Sequence, residues 1–282
     1  MISSSYAGIG TQVQLRVNGI SQWVGVKDSP DTQSVTLEAR LKDQIGGGLT
    51  IFNDKNGFTK QMGAKGSVAY HLTLSDFDRA FLSFSLEASY TQFSIDTKDF
   101  TTTPDKIETL PNTSNGTVNF GFSTLYRYQG FAISFNVANI LDKTMTKVKT
   151  KEPLKLRSYS LYPVYTHVIN PDYELEPSVF VEYFESDGRI RSDFNIKLRR
   201  KIHKGYVWGG LSYSMVNEEK FTSNTISPLL GLKTNNFYVA YGIAFGLNQI
   251  SEFNRGTHMI TLGFDFEKTQ SLIRCTQKIG LF

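Results

Sequence analysis

The chain has 282 residues, 40% of them hydrophobic and 13% aromatic, with a net charge of +4 and a mean hydropathy of -0.25. No stretch of about eighteen consecutive apolar residues occurs, which excludes a helical membrane span. The charge is too small and too scattered for a nucleic-acid surface, and the single cysteine, Cys275, excludes an internal disulfide or a cysteine metal cluster.

Met1-Ile2-Ser3-Ser4-Ser5 contains no apolar export segment, so the numbering is expected to begin near a mature end with a signal peptide removed. From there, alternating segments follow one another almost without interruption. They cover residues 12–25, 32–42, 45–53, 62–74, 79–95, 116–128 and 130–138, then 156–169, 173–185, 189–200, 205–216, 225–234, 236–248 and 256–267. In 79–95, Leu82, Phe84, Leu86, Ala88 and Tyr90 fall on one side, and Ser83, Ser85, Glu87 and Ser89 on the other. The clearest case is 237–247, where Phe237, Val239, Tyr241, Ile243, Phe245 and Leu247 alternate with Tyr238, Ala240, Gly242, Ala244 and Gly246. Successive side chains of a strand point to opposite faces, so one face is greasy and the other small and polar.

No amphipathic helix is present to cover the greasy face. The reading is therefore all-β: a transmembrane antiparallel β-barrel of about fourteen strands with lipid outside and a polar lumen. The barrel is expected to span 1–267, with 268–282 as a C-terminal periplasmic tail. With both ends on one side of the membrane, the connections at 42–45, 75–79, 128–130, 170–173, 201–205 and 234–236 fall on the periplasmic side and are short. The longest connections, 96–115 and 139–155, share the opposite, extracellular parity, which is the asymmetry of outer-membrane barrels. His71, Glu87, Arg127, Glu182, Arg191, Asp193, Lys197, Arg199 and Asp265 lie on the polar side. Charges of both signs there suit a salt-bridge lattice, a selective channel or a peptide-binding lumen.

Little in the chain suggests chemistry. The four histidines, His71, His167, His203 and His258, fall on separate strands or turns, without metal-ligand spacing. Gly46-Gly47-Gly48 lacks the Lys-Ser/Thr of a phosphate loop and opens no helix. No catalytic residue, cofactor or metal is assigned. Three local features carry both a plain and a sharper reading. Trp23, near a strand end, suits an interfacial aromatic. Asn53-Asp54-Lys55-Asn56-Gly57 is a turn signal at the outward rim. Lys143, Lys147, Lys149 and Lys151 make 139–155 the most basic stretch, a solvated loop drawn to anionic lipopolysaccharide. The sharper reading makes Trp23, Asn53, Asp54 and these four lysines a docking or steering surface for an acidic exported partner. A porin would show a constriction loop rich in carboxylates. Residues 97–116 carry instead a mixture of Lys98, Asp99, Asp105, Lys106 and Glu108.

Several local strings follow one another along the chain: Tyr6-Ala7-Gly8, Ser21-Gln22-Trp23-Val24-Gly25, Ser29-Pro30-Asp31, Gly46-Gly47-Gly48-Leu49, Leu175-Glu176-Pro177-Ser178-Val179, Trp208-Gly209-Gly210 and Arg255-Gly256-Thr257-His258. In order and rough spacing, from about Tyr6 to Phe266, they resemble the PorP/SprF family of Bacteroidota outer-membrane proteins. The chain departs from that pattern at Ser3-Ser4-Ser5, where the family has Asn-Pro-Ala, and at Met259, where it has an acidic residue. The resemblance implies a cell outer membrane protein of the type IX secretion system and gliding machinery, one that receives or anchors a secreted adhesin C-terminal domain or couples the machine to the outer membrane. Its implied partners are a secreted adhesin or its C-terminal domain, translocon, periplasmic ring or lipoprotein subunits, and outer-membrane lipid. A porin-like diffusion channel is the alternative.

Overall fold

The computed structural model describes residues 3–10, 13–95, 114–141, 157–217, 221–247 and 254–266. Its strands are β1 (Val13–Ser21), β2 (Asp31–Lys42), β3 (Ile45–Asn56), β4 (Thr59–Ser75), β5 (Ala80–Ile95), β6 (Ser114–Tyr128), β7 (Phe131–Ala138) and β8 (Ser158–Tyr165). They continue as β9 (His167–Asn170), β10 (Tyr173–Phe184), β11 (Ile190–Ile202), β12 (Gly205–Asn217), β13 (Phe221–Thr234), β14 (Phe237–Gly246) and β15 (Thr257–Phe266). Each pairs antiparallel with its neighbour, and β1 pairs with β15, so the sheet closes on itself. β8 and β9 are two halves of one stave, because both pair with β10 in a continuous register. The barrel therefore has the fourteen staves read from the alternation.

The break between β8 and β9 has a cross-strand cause. Continuing the register places Pro177 opposite Tyr165, and proline has no N–H to give to the ladder. Thr166 turns aside and donates its N–H to the Gly130 carbonyl at 2.8 Å.

Connections at one end are tight: two residues between β2 and β3, β6 and β7, β9 and β10, β11 and β12, and β13 and β14, and four between β4 and β5. The opposite end carries the long connections after β1, β5, β7 and β14. One expectation at this end needs correction. Asn53 to Asn56 are not a turn but the last residues of β3, paired with Thr59 to Met62, and the turn itself is only Gly57-Phe58. Polar strand ends rising above the lipid look like turn residues in a sequence. Gly57, with φ of 58°, makes the reversal.

The two faces of the wall separate as the period of two requires. Leu82, Phe84, Leu86 and Tyr90 point outward on β5, as do Phe194, Ile196 and Leu198 on β11 and Val239, Ile243 and Phe245 on β14. Leu86 is 68% exposed, which suits a hydrocarbon solvent and not water. Outward aromatics gather near the tight-turn end, among them Tyr126, Tyr128, Phe131, Tyr165, Phe237 and Phe266. Tyr90, Phe120 and Phe245 lie toward the other, as interfacial girdles do.

Candidate functional site: an occupied lumen

The inward face is held together by charge. Asp265, fully buried near the tight-turn end of β15, forms an ion pair with Arg16 of β1 at 2.6 Å and accepts a hydrogen bond from Lys233 of β13. This cluster straddles the β1–β15 seam that closes the barrel. Gly263 makes room for it, since a Cβ there would lie 2.8 Å from the Arg16 side chain. A second cluster joins β10 to β11. Arg199 bridges Glu174 at 2.9 Å and Glu176 at 3.3 Å, Lys197 binds Glu176, and Lys201 reaches Glu174 at 2.8 Å. Rings back these cations: Tyr206 lies 4.8 Å from the Arg199 guanidinium, Trp208 5.7 Å from the Lys197 ammonium and Tyr238 5.3 Å from Arg16. Smaller pairs, Lys65–Glu87 at 3.6 Å and Arg191–Asp193 at 2.8 Å, complete a lattice of the kind the alternation implied. Parity alone could have added Arg16, Arg40, Glu174, Glu176 and Lys233 to the expected lumen set, for each sits between outward residues of its strand.

The segment before β1 is the feature that the alternation did not predict. Residues 3–10 do not extend the first strand but enter the lumen as a short strap built on a 3-10 turn, Ser4–Tyr6. Ser3 caps the turn, and the strap's N–H groups at Tyr6, Ala7 and Ile9 bond to its own carbonyls of Ser3, Ser4 and Tyr6. The Ser3 and Ser5 hydroxyls bond to each other at 2.7 Å, while the Ser4 hydroxyl and several backbone groups meet the wall. Ser4 shares hydrogen bonds with Ser85 at 2.7 Å and Ser123 at 3.1 Å, and the Ser5 N–H donates to the Ser123 hydroxyl at 2.9 Å. Arg40 Nε donates to the Gly8 carbonyl at 3.0 Å. His71 Nε2 donates to the Ala7 carbonyl at 3.0 Å, so in the neutral ring Nδ1 accepts from the Ser83 hydroxyl at 2.8 Å.

Tyr6 is the strap's apolar anchor. Its ring lies among Leu125, Ala132, Tyr162 and Val164, with Ile9 and Phe180 packed against the cluster. Burying such a ring contributes roughly 1.5–3 kcal/mol. The strap then passes so close to β3 that glycine is required on both sides. A Cβ on Gly46 would stand 1.9 Å from the Ala7 carbonyl oxygen, and one on Gly8, where φ is 74°, 2.5 Å from the Gly46 Cα. Beside the anchor, Arg127 is 1% exposed and stacks on Phe81 at 4.9 Å. Among the described residues its Nε has no hydrogen-bond partner.

The docking residues expected at the rim are partly visible. Trp23 projects from the loop after β1, 42% exposed, with φ of 48°. That loop pairs with the start of the last stave through Val24 N–H to Gly256 O at 3.1 Å and Arg255 N–H to Val24 O at 2.9 Å. Asn53 and Asp54 are successive residues of β3 and so point to opposite faces, Asp54 inward, where it accepts from Thr32. Trp23, Asn53 and Asp54 thus share one end of the barrel without forming a single cluster. Lys143, Lys147, Lys149 and Lys151, the loop 96–113, Asn248, Cys275 and the tail 268–282 lie outside the described residues. Among the described residues no group of histidine, cysteine and carboxylate side chains could hold a metal ion.

Comparison with known proteins agrees with this architecture. The family model described as type IX secretion system membrane protein PorP/SprF matches residues 2–264. No curated protein matches the sequence. Among solved structures, the chain is similar to the Pseudomonas putida toluene transporter TodX, with 9% identity, 94% of this chain and 91% of that one covered, and a TM-score of 0.59. It is also similar to the Ralstonia pickettii toluene transporter TbuX, with 12% identity, 94% and 91% coverage, and a TM-score of 0.53. A likeness at this identity is one of fold.

Proposed function

Because the chain belongs to the PorP/SprF family of type IX secretion system membrane proteins, an outer-membrane barrel of that system, we propose that it receives or anchors the C-terminal domain of a secreted adhesin. In this reading the long-connection end faces the cell exterior and the tight-turn end the periplasm, where ring or lipoprotein subunits of the machine would engage it. The observation that carries the proposal is the occupied lumen. Side-chain ion pairs span the inner wall, and the chain's own strap fills the space between β2, β4, β5 and β6. A barrel so furnished is suited to holding a protein at its outer rim more than to passing solutes.

Trp23, Asn53, Asp54 and the basic residues Lys143, Lys147, Lys149 and Lys151 would form or steer that rim contact, by attraction to an acidic exported domain. The second reading, a diffusion channel, draws support from the fold shared with TodX and TbuX, which are named as transporters of toluene. Affinity purification from the native membrane, paired with a deletion of 144–151, separates the two. The secretion reading expects an adhesin or machine subunit to co-purify. It also expects the deletion to leave the barrel folded while adhesin display or gliding falls. Retained display with reduced uptake of small solutes would establish the channel in its place.

A further inference from the structure

We propose that the floor of the lumen is a peptide-binding site, occupied here by the chain's own strap, and that it accepts the same chemistry from a separate chain: an aromatic residue, then a small one, then glycine. The inference rests on what the strap does not do. Every one of its described backbone–backbone hydrogen bonds is internal, and the barrel closes through β1 and β15 without it. The strap forms no ion pair with the wall among the described residues, so it can leave without breaking a ladder.

What it would leave behind is a receptor. Leu125, Ala132, Tyr162 and Val164 form an aromatic socket. Arg40 Nε and His71 Nε2 are two donors set to take consecutive carbonyls, those of Gly8 and Ala7. Ser85 and Ser123 supply hydroxyls that serve either as donors or as acceptors. The carbonyl contacts read backbone, Ser85 and Ser123 meet the Ser4 hydroxyl, and three positions set the size of the side chain. The socket selects the aromatic residue, the fully buried Ala7 position demands a small one, and the approach to Gly46 demands glycine. Recognition by main-chain hydrogen bonds plus one or two pockets is how extended peptides are commonly bound.

The test uses the full chain, in a Cys275→Ser background, reconstituted in planar phospholipid bilayers. Two variants expel the strap: deletion of residues 3–10, and Gly46→Val, whose side chain would occupy the strap's path. A third pair, Ser4→Cys with Ser85→Cys, replaces hydroxyls 2.7 Å apart and locks the strap when oxidised. Folding of each is checked by its heat-dependent gel shift. Expelling the strap is expected to raise the current by about an order of magnitude over the parent, since an unplugged barrel of this size leaves an aqueous path. The oxidised pair should give no current until reduced. The synthetic peptide Ser-Ser-Ser-Tyr-Ala-Gly-Ile-Gly, added to the deletion variant, should block it in a saturable way, and it should leave Gly46→Val unblocked, because the valine fills the path the peptide would take. The same peptide with Tyr or Gly replaced by Ala should not. Unchanged current on expulsion, or equal block by all three peptides, would overturn the proposal. Both readouts are independent of secretion in cells.

Discussion

Asp265 is the residue on which the barrel's closure is most exposed to test. Its carboxylate is fully buried and serves two cations, Arg16 at 2.6 Å across the seam and Lys233 from β13, whose side chains are 19% and 18% exposed. Asp265→Asn keeps the shape, removes the charge and leaves two neighbouring cations facing each other. Removing one partner of a buried pair costs about 3–5 kcal/mol. The residual exposure of both cations favours the lower figure, about 3 kcal/mol, which is more than a hundredfold in the unfolding equilibrium. Urea unfolding in phospholipid vesicles, followed by the fluorescence of Trp23 and Trp208, reads the change. Arg16→Gln in the Asp265→Asn background should add little, because the pair is already broken. The exposed pair Lys55–Asp28, at 3.8 Å, supplies the control, and Lys55→Ala should cost about 1 kcal/mol or less. A loss at Asp265 no larger than that control would mean that lumen water screens the cluster, and the argument for a charge-locked seam would fail.

Two further outcomes follow from the wall and its ends. Val239→Arg or Ile243→Arg, on the outward face of β14, should cost roughly 2–4 kcal/mol of barrel stability while the inward Ala244→Ser is nearly silent; equal tolerance in the same urea assay would reverse the assignment of faces. An epitope inserted between Asp187 and Gly188, at the long-connection end, should bind antibody on intact cells, and one between Phe77 and Asp78 should bind only after permeabilisation. The opposite pattern would invert the barrel.

The sequence carried the wall more plainly than its contents. A strand that faces lipid on one side must alternate over its whole length, so fourteen staves, their faces and the contrast between the two ends are all written locally. Boundaries were less legible where one stave depends on another. The break at Thr166 follows from Pro177 on the adjacent stave, and the extension of β3 through Asn56 follows from pairing with β4. The strap was hidden for the same reason, on a larger scale. Ser5 finds its acceptor 118 residues away and Gly8 its donor 32 residues away, and no periodicity reports such contacts. What the sequence did offer was Tyr6-Ala7-Gly8 and Gly46-Gly47-Gly48 as separate strings. Gly8 and Gly46 are the two sides of one close approach.

That approach makes a prediction in which two changes must depend on each other. A Cβ at position 46 meets the Ala7 carbonyl, 1.9 Å from the oxygen and 2.7 Å from the carbon, and a backbone group cannot be relieved by changing a side chain. Gly46→Ala must therefore shift the strap or strain the wall, and overpacking of this kind costs typically 1–3 kcal/mol. No substitution within the strap should recover that loss. Deleting residues 3–10 should, because the obstacle is then gone, and a single methyl on the inward face of an open lumen meets only water. Measured as a cycle of four proteins by urea unfolding, Gly46→Ala is destabilising in the full chain and close to neutral without the strap. A penalty of equal size in both backgrounds would place the cost in the β2–β3–β4 ladder itself, and the glycine would then owe nothing to the segment it faces.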